Sequence, residues 1–179
     1  MKTLKLKNYF FVSAQDTPSI QVWLERQALH GAASRSRTRF VKLLADRLKE
    51  IDTVRKEMLE KHAEKDKDGK TIYVVLEEVK KGDVTEIKEK DTTDDSPQDN
   101  KRYKIKDDKA FNKEWAEYIN EEFVLDVTPS TSEIIYGTRD LILNTTAEFS
   151  GRGAALYDEW CQAFEAIKTS DTEAEAEKK

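Results

Sequence analysis

The sequence predicts an α+β fold, a helix-rich bundle built around one long helix (about 36–64) with a small antiparallel sheet. Segments rich in β-branched and aromatic residues at 2–13, 71–79 and 102–106 are typical of strands. Over 36–64, apolar residues recur at steps of three and four, which is the period of a helix with one buried face. The residues of this apolar stripe are Phe40, Leu44, Leu48, Ile51, Val54 and Met58.

Short polar segments mark the expected helix boundaries in the first half of the chain. A short helix should begin at Pro18, because proline is favoured in the first turn, and should end at Gly31. Ser34 or Ser36 is then expected to cap the long helix, since a hydroxyl can accept a hydrogen bond from a free N–H group of the first turn.

Three further helices are expected in the second half. The first begins at Asp107 or Asp108 and carries apolar residues as far as Phe123. The other two follow the breaks at 128–130 and 150–153, where proline or glycine interrupts the helical period.

The distribution of apolar residues predicts a single globular domain over residues 1–168. A mobile charged loop is expected at about 82–100, because this segment has almost nothing to bury. Residues 103–105 could pair with 71–79 across that loop. Residues 169–179 are expected to form a disordered acidic tail.

Composition excludes several classes of protein. The chain has 179 residues, a net charge of −5 and an apolar fraction of 37%. A single cysteine excludes an intramolecular disulfide, a four-cysteine zinc site and an iron–sulfur cluster. No run approaches the roughly 18 apolar residues of a membrane span, and the start lacks the apolar block of a signal peptide. We therefore expect a soluble, cytoplasmic protein.

Charge is divided unevenly along the chain. Residues 1–106 carry 24 basic and 19 acidic side chains, whereas residues 107–179 carry 7 basic and 17 acidic ones. Two interpretations stay open: the two halves bind each other, or they face different partners.

The densest basic segment opens the long helix. Residues 35–49 hold six basic side chains against one acidic residue, Asp46. Cations near a helix N-terminus oppose the helix dipole, which favours an acidic partner for them. The candidate partner-binding residues are Arg35, Arg37, Arg39 and Lys42. The partner could be the acidic half of this chain or another protein; a nucleic acid bound by the Arg35–Lys49 stretch is an alternative, as is simple solvation.

No group of residues predicts catalysis, a metal site or a cofactor. Asp66-Lys67-Asp68-Gly69 lacks the later glutamate of a calcium loop and is interpreted as a turn. Ser150-Gly151-Arg152-Gly153 lacks the full pattern of a phosphate-binding loop and is interpreted as a connector. We therefore predict no enzymatic activity, no bound cofactor and no metal.

Several segments resemble a family of uncharacterised small proteins of tailed phages and prophages of Gram-positive bacteria. They are Leu6-Lys7-Asn8-Tyr9, Ser34-Arg35-Ser36-Arg37-Thr38-Arg39-Phe40, Lys65-Asp66-Lys67-Asp68-Gly69-Lys70, Tyr103-Lys104-Ile105 and Ala110-Phe111-Asn112-Lys113-Glu114. The similarity covers roughly residues 4–125 and contains no catalytic motif. It implies an accessory protein from the late, tail-associated genes, acting by protein–protein contact in the host cytoplasm or in the virion. A host-directed inhibitor of a bacterial protein is the alternative.

Overall fold

The computed structural model describes residues 2–13, 17–81, 84–97 and 100–167. In chain order the elements are β1 (Thr3–Lys7), a 3-10 helix (Asn8–Phe11), α1 (Ile20–Arg26), α2 (Gly31–His62), β2 (Tyr73–Lys81), β3 (Val84–Thr92), β4 (Lys101–Tyr103), α3 (Asp108–Ile119), β5 (Glu122–Asp126), α4 (Ser132–Leu143) and α5 (Gly151–Glu165). The predicted α+β fold with one long helix is confirmed, and the antiparallel strands of the described residues form two small sheets where one was expected.

The chain divides into two compact units. One contains Met1–Glu50 and Tyr118–Lys179, and the other contains Ile51–Glu117. The single domain over residues 1–168 stays a prediction. The expected tail at 169–179 lies outside the described residues. Among the helices of the described segments, none has both the length and the apolar character that crossing a membrane requires.

The long helix begins earlier than expected. Gly31 has a φ of 58°, in the left-handed region that glycine adopts readily, and α2 runs from it without a break. Ser34 and Ser36 therefore lie inside the helix, and the predicted cap was wrong. The alanines at 32 and 33 explain the early start, because alanine has the highest helix propensity.

In the first unit, β1 pairs with β5 in an antiparallel ladder. Leu4 faces Leu125 and Leu6 faces Phe123, and both β1 leucines are fully buried. The third helix ends at Ile119, so its expected extension to Phe123 was wrong. Alternate residues of β5 are partly covered, which is the period-two pattern of a strand.

The core of this unit lies where α1, α4 and α5 meet the first half of α2. Phe40 and Phe164 have ring centroids 5.8 Å apart and are both fully buried. Leu44 is also fully buried, whereas Leu48 is only half-buried. Other buried core residues here are Leu24, Ile135, Ile142 and Trp160.

The second unit contains a three-stranded antiparallel sheet in the order β3-β2-β4. Tyr73 faces Tyr103, so the expected pairing of these two segments is confirmed. Residues Val84–Thr92 form β3, where the sequence analysis expected part of a mobile loop. A hairpin strand needs backbone hydrogen bonds but no core, and Ile87 is 68% exposed. Residues 93–97 contain neither helix nor strand.

Candidate functional site

One face of the first half of α2 carries three exposed cations. Arg35, Arg39 and Lys42 are exposed and follow the spacing i, i+4, i+7, which places them on one side of a helix. These three residues are called the basic stripe below. At a rise of 1.5 Å per residue, the stripe is about 10 Å long.

The charge of the basic stripe is scarcely compensated within the described residues. Arg35 and Lys42 form no hydrogen bond or ion pair with any part of the chain that the structure describes. Arg39 has one carboxylate nearby, that of Glu133, at 4.0 Å between Nη1 and Oε2. Glu133 is 84% exposed at its side chain, so water and salt screen this pair. The first turn of α2 contains no acidic residue that would offset the positive helix end.

Arg37, the fourth predicted binding residue, lies on a different face. Its Nη1 donates a 2.7 Å hydrogen bond to the carbonyl oxygen of Gln27, and its Nη2 lies 3.4 Å from the hydroxyl of Ser34. A helix turns about 100° per residue, which brings residue 37 to within about 60° of the buried Phe40. Arg37 therefore ties the connection between α1 and α2 to the helix, and we leave it out of the basic stripe.

The N-terminal end of the basic stripe surrounds a shallow depression of about 210 Å³. Four residues of α2 line it: Ser34, Arg35, Thr38 and Arg39. The Thr38 hydroxyl donates to the Ser34 carbonyl at 2.9 Å. Guanidinium groups are planar, permanently charged donors that match the two oxygens of a carboxylate. Arg35 and Arg39 therefore carry groups whose chemistry suits the carboxylate of an acidic side chain.

A larger cleft of about 480 Å³ lies between the start of α2 and α4. Its walls are mixed, with Trp23, Leu29 and Leu141 beside Gln27 and Asp140. Asp140 is the single ionisable group among its described lining residues, so the cleft brings together no acid–base pair.

The remaining sequence candidates have local structural roles. The Asp66 carboxylate accepts backbone hydrogen bonds from Asp68 and Lys70 at 2.9 and 2.8 Å, which is the geometry of a turn. Burial raises the pKa of the Cys161 thiol, which disfavours the reactive thiolate. Among the described residues, no group of three or more His, Cys, Asp or Glu side chains could hold a metal ion.

A buried polar pair was missed by the sequence analysis. Arg47 donates to Asn8, and its side chain is only 12% exposed. The sequence could have indicated this pair, because Arg47 lies about 20° from Phe40 around the helix axis and therefore on the apolar face. An arginine on such a face indicates an internal polar partner.

Comparisons of the chain with protein-family models, with curated proteins and with solved structures found no match. The functional proposal therefore depends on the residues of the chain itself, first of all on the basic stripe.

Proposed function

We propose that this chain is a non-enzymatic accessory protein of a tailed phage that acts by protein–protein contact in tail assembly. The resemblance over residues 4–125 supports the phage setting, in the host cytoplasm and then in the virion. The basic stripe supports a protein partner with an acidic surface. The observation that carries the proposal is the exposure of Arg35 and Lys42 without a compensating carboxylate in the described residues.

Carboxylates are the groups that such a stripe binds best on a protein surface. A guanidinium can donate two parallel hydrogen bonds to one carboxylate, which fixes the orientation of the partner as well as its charge. Each exposed pair contributes only about 0–1 kcal/mol, because water and salt screen it. The basic stripe would therefore select the partner and speed association more than it would hold the complex together.

A protein partner accounts for the stripe better than a nucleic acid does. Three cations over about 10 Å neutralise few phosphates, and a net charge of −5 repels a polyanion. Binders of single strands stack bases on aromatic rings. Phe40, the aromatic ring next to Arg39 in the sequence, is fully buried and cannot stack on a base.

A photo-cross-linker in place of Thr38, which is exposed between Arg35 and Arg39, tests this proposal. We expect a cross-link to a structural protein when phage particles assemble, and loss of that product in the Arg35→Glu/Arg39→Glu variant. Lys56→Glu is the matched control, because Lys56 is also an exposed helical cation but lies outside the basic stripe. Mass spectrometry of purified virions then establishes whether the chain remains in the particle. A cross-link to a host protein would overturn the role in tail assembly and favour the host-directed inhibitor. A cross-link to nucleic acid would overturn the proposal of a protein partner.

A further inference from the structure

The hydrogen bonds at the two ends of the β1–β5 ladder show which backbone groups of β5 face β1. The N–H of Val127 donates to the Lys2 carbonyl oxygen at 2.9 Å, and the N–H of Asn8 donates to the Glu121 carbonyl oxygen at 3.0 Å. Antiparallel strands alternate between residue pairs that exchange such bonds and pairs that do not. In the observed register, the odd-numbered residues of β5 therefore bond to β1 and the even-numbered ones do not.

The backbone groups of the even-numbered residues of β5 point away from β1 and form a free strand edge. These residues are Glu122, Val124 and Asp126. Within the described segments, nothing pairs with their three N–H groups or with the carbonyl oxygens of Glu122 and Val124. The Asp126 carbonyl oxygen already accepts from the Thr131 hydroxyl at 2.7 Å. Both kinds of backbone group are thus available to an added strand.

The side chains of β5 are also less covered than those of β1. Leu4 and Leu6 of β1 are fully buried, whereas Leu125 and Phe123, which face them, are only half-buried. On the opposite side of the sheet, Val124 is 47% exposed. A strand added at this edge would cover apolar surface on both sides of the sheet, in addition to forming backbone hydrogen bonds.

The charges along this edge favour a basic strand. Glu122 and Asp126 flank Val124 and are both exposed, and the one described cation that pairs with either is Lys5, at 2.9 Å from Glu122. A second copy of the chain, paired edge to edge about Val124, would place Glu122 opposite Asp126. Like charges directly opposite each other destabilise a sheet, whereas opposite charges stabilise it.

We propose that the free edge of β5 binds an extended segment of a partner protein as an additional antiparallel strand. The segment carries cations opposite Glu122 and Asp126, with three apolar or β-branched residues between them. Antiparallel pairing is slightly more stable per residue than parallel pairing. The backbone bonds hold the segment, while the two carboxylates select its sequence. This site takes cations and the basic stripe takes carboxylates, so the inference does not depend on the proposed function.

The peptide Lys-Val-Thr-Val-Lys, acetylated and amidated at its ends, is the probe for the full chain. NMR titration and amide hydrogen exchange measure its binding. We expect the amide signals of Glu122, Val124 and Asp126 to shift and these amides to become protected from exchange. The Phe123 and Leu125 amides are the internal control, since they are already bonded to β1 and their exchange should change little. Unchanged exchange of the three edge amides at millimolar peptide would overturn the proposal.

Two N-methylated forms of this peptide distinguish strand addition from simple attraction of charge. In the antiparallel arrangement the N–H of the central threonine faces β5, whereas the N–H of the first valine faces away. Methylation at the threonine should weaken binding by about tenfold or more, because it removes a hydrogen bond and blocks the edge. Methylation at the valine should leave the affinity unchanged. Equal affinities of the two forms would contradict strand addition. Binding of Glu-Val-Thr-Val-Glu as tight as that of the lysine peptide would contradict the selection by charge.

Val124→Pro tests the same edge from the side of the protein. Proline removes the outward N–H without removing a bond to β1, and edge strands tolerate proline at such positions. The variant should keep its melting temperature within a few degrees and lose the peptide, while Val124→Thr should keep both. A folded Val124→Pro variant that binds the peptide undiminished would overturn the proposal; if the variant unfolds, the N-methylated peptides decide. If the peptide binds and no virion protein cross-links at position 38, the β5 site stands and the proposed function fails.

Discussion

The guanidinium of Arg47 donates two hydrogen bonds to the side-chain oxygen of Asn8, at 3.0 Å from Nε and 2.8 Å from Nη2. The Asn8 amide in turn donates to the carbonyl oxygen of Tyr118 at 2.9 Å, and the third guanidinium nitrogen lies 2.8 Å from a Glu50 carboxylate oxygen. The guanidinium also lies over the rings of Tyr118 and Phe123, at 5.8 and 5.5 Å from their centroids. One buried asparagine thus joins the end of β1 to α2 and to the end of α3.

Asn8→Ala should destabilise the protein by about 3 kcal/mol, because it leaves two guanidinium N–H groups and a carbonyl oxygen without their partner. Urea unfolding followed by circular dichroism measures this loss. Lys56→Ala is the control, since its ion pair with Asp52 is exposed and its removal should leave the midpoint unchanged. If the urea midpoint of Asn8→Ala equals that of the unaltered chain, the Asn8–Arg47 pair contributes nothing to the stability of the fold.

Gly137→Ala should also destabilise the protein, because α4 approaches α2 closely at this residue. An added Cβ would lie 2.4 Å from the Ser36 hydroxyl oxygen and 2.9 Å from its Cβ. Such overpacking costs about 1–3 kcal/mol. Gly153→Ala is the matched control: no atom lies within 4 Å of the added Cβ, and alanine favours the helix, so the melting temperature should rise. Partial rescue of Gly137→Ala by Ser36→Gly would identify the contact as the cause.

Much of this architecture was predictable from local patterns, since the apolar stripe of α2 and the β-branched segments need only neighbours in sequence to be recognised. Local patterns did not predict the start of α2 or the strand β5, and each failure has its own physical reason. Gly31 has a left-handed φ, which is more typical of the residue just after a helix than of the first residue of one, so the sequence predicted a helix end there. Phe123 fits a helical step equally well, and only its pairing with Leu6 selects the strand.

For the candidate site, the spacing of residues around a helix places Arg35, Arg39 and Lys42 on one face and Arg37 on another. The basic stripe could therefore have been predicted from the sequence. The hydrogen-bond acceptor of Arg37, the Gln27 carbonyl oxygen, could not be predicted from the sequence. A backbone oxygen becomes available only once the preceding helix has ended, at Arg26.

Acid should weaken the second unit through Glu114. Hydrogen bonds from Lys61 and His62, both at 2.7 Å, hold the pKa of the Glu114 carboxyl below its ordinary value. A lowered folded-state pKa contributes stability that is fully present above the unfolded value of about 4.5 and is lost as pH falls through the folded value. The stability difference between the unaltered chain and Glu114→Gln, from urea unfolding at pH 5 and below, should therefore shrink as pH falls. Glu117→Gln removes the same charge at an exposed position one turn away and is the control for net charge. If the difference in unfolding free energy between the unaltered chain and Glu114→Gln stays constant with pH, the prediction is contradicted.

The core of the first unit should tolerate a charge at position 44 far less than at position 48. Leu44 is fully buried, so Leu44→Asp places a carboxylate in an apolar core and should unfold the protein. Leu48 is half-buried, and an aspartate there retains access to water, so Leu48→Asp should lower the melting temperature without abolishing folding. Equal melting temperatures for the two variants would contradict the burial pattern of α2.

Reversing the charge of Arg37 and of Arg39 should have different consequences, because Arg37 holds a backbone carbonyl of its own chain whereas Arg39 is exposed to solvent. Arg37→Glu removes the bond to the Gln27 carbonyl and places a carboxylate beside that oxygen, so the melting temperature should fall. Arg39→Glu removes only a 4.0 Å exposed pair, so stability should be unchanged while the cross-link formed from position 38 to the acidic partner weakens. Thermal melts and cross-linking yields of both variants measure the two effects.

The same pair of variants tests the nucleic-acid alternative. Contact of the three stripe residues with duplex phosphates would lower log K by about 2.7 for each tenfold rise in salt. We expect no mobility shift of DNA or RNA at physiological salt for the unaltered chain or for either variant, because the net charge of −5 opposes the approach of a polyanion. A micromolar shift by the unaltered chain that disappears in Arg39→Glu would assign the basic stripe to nucleic acid.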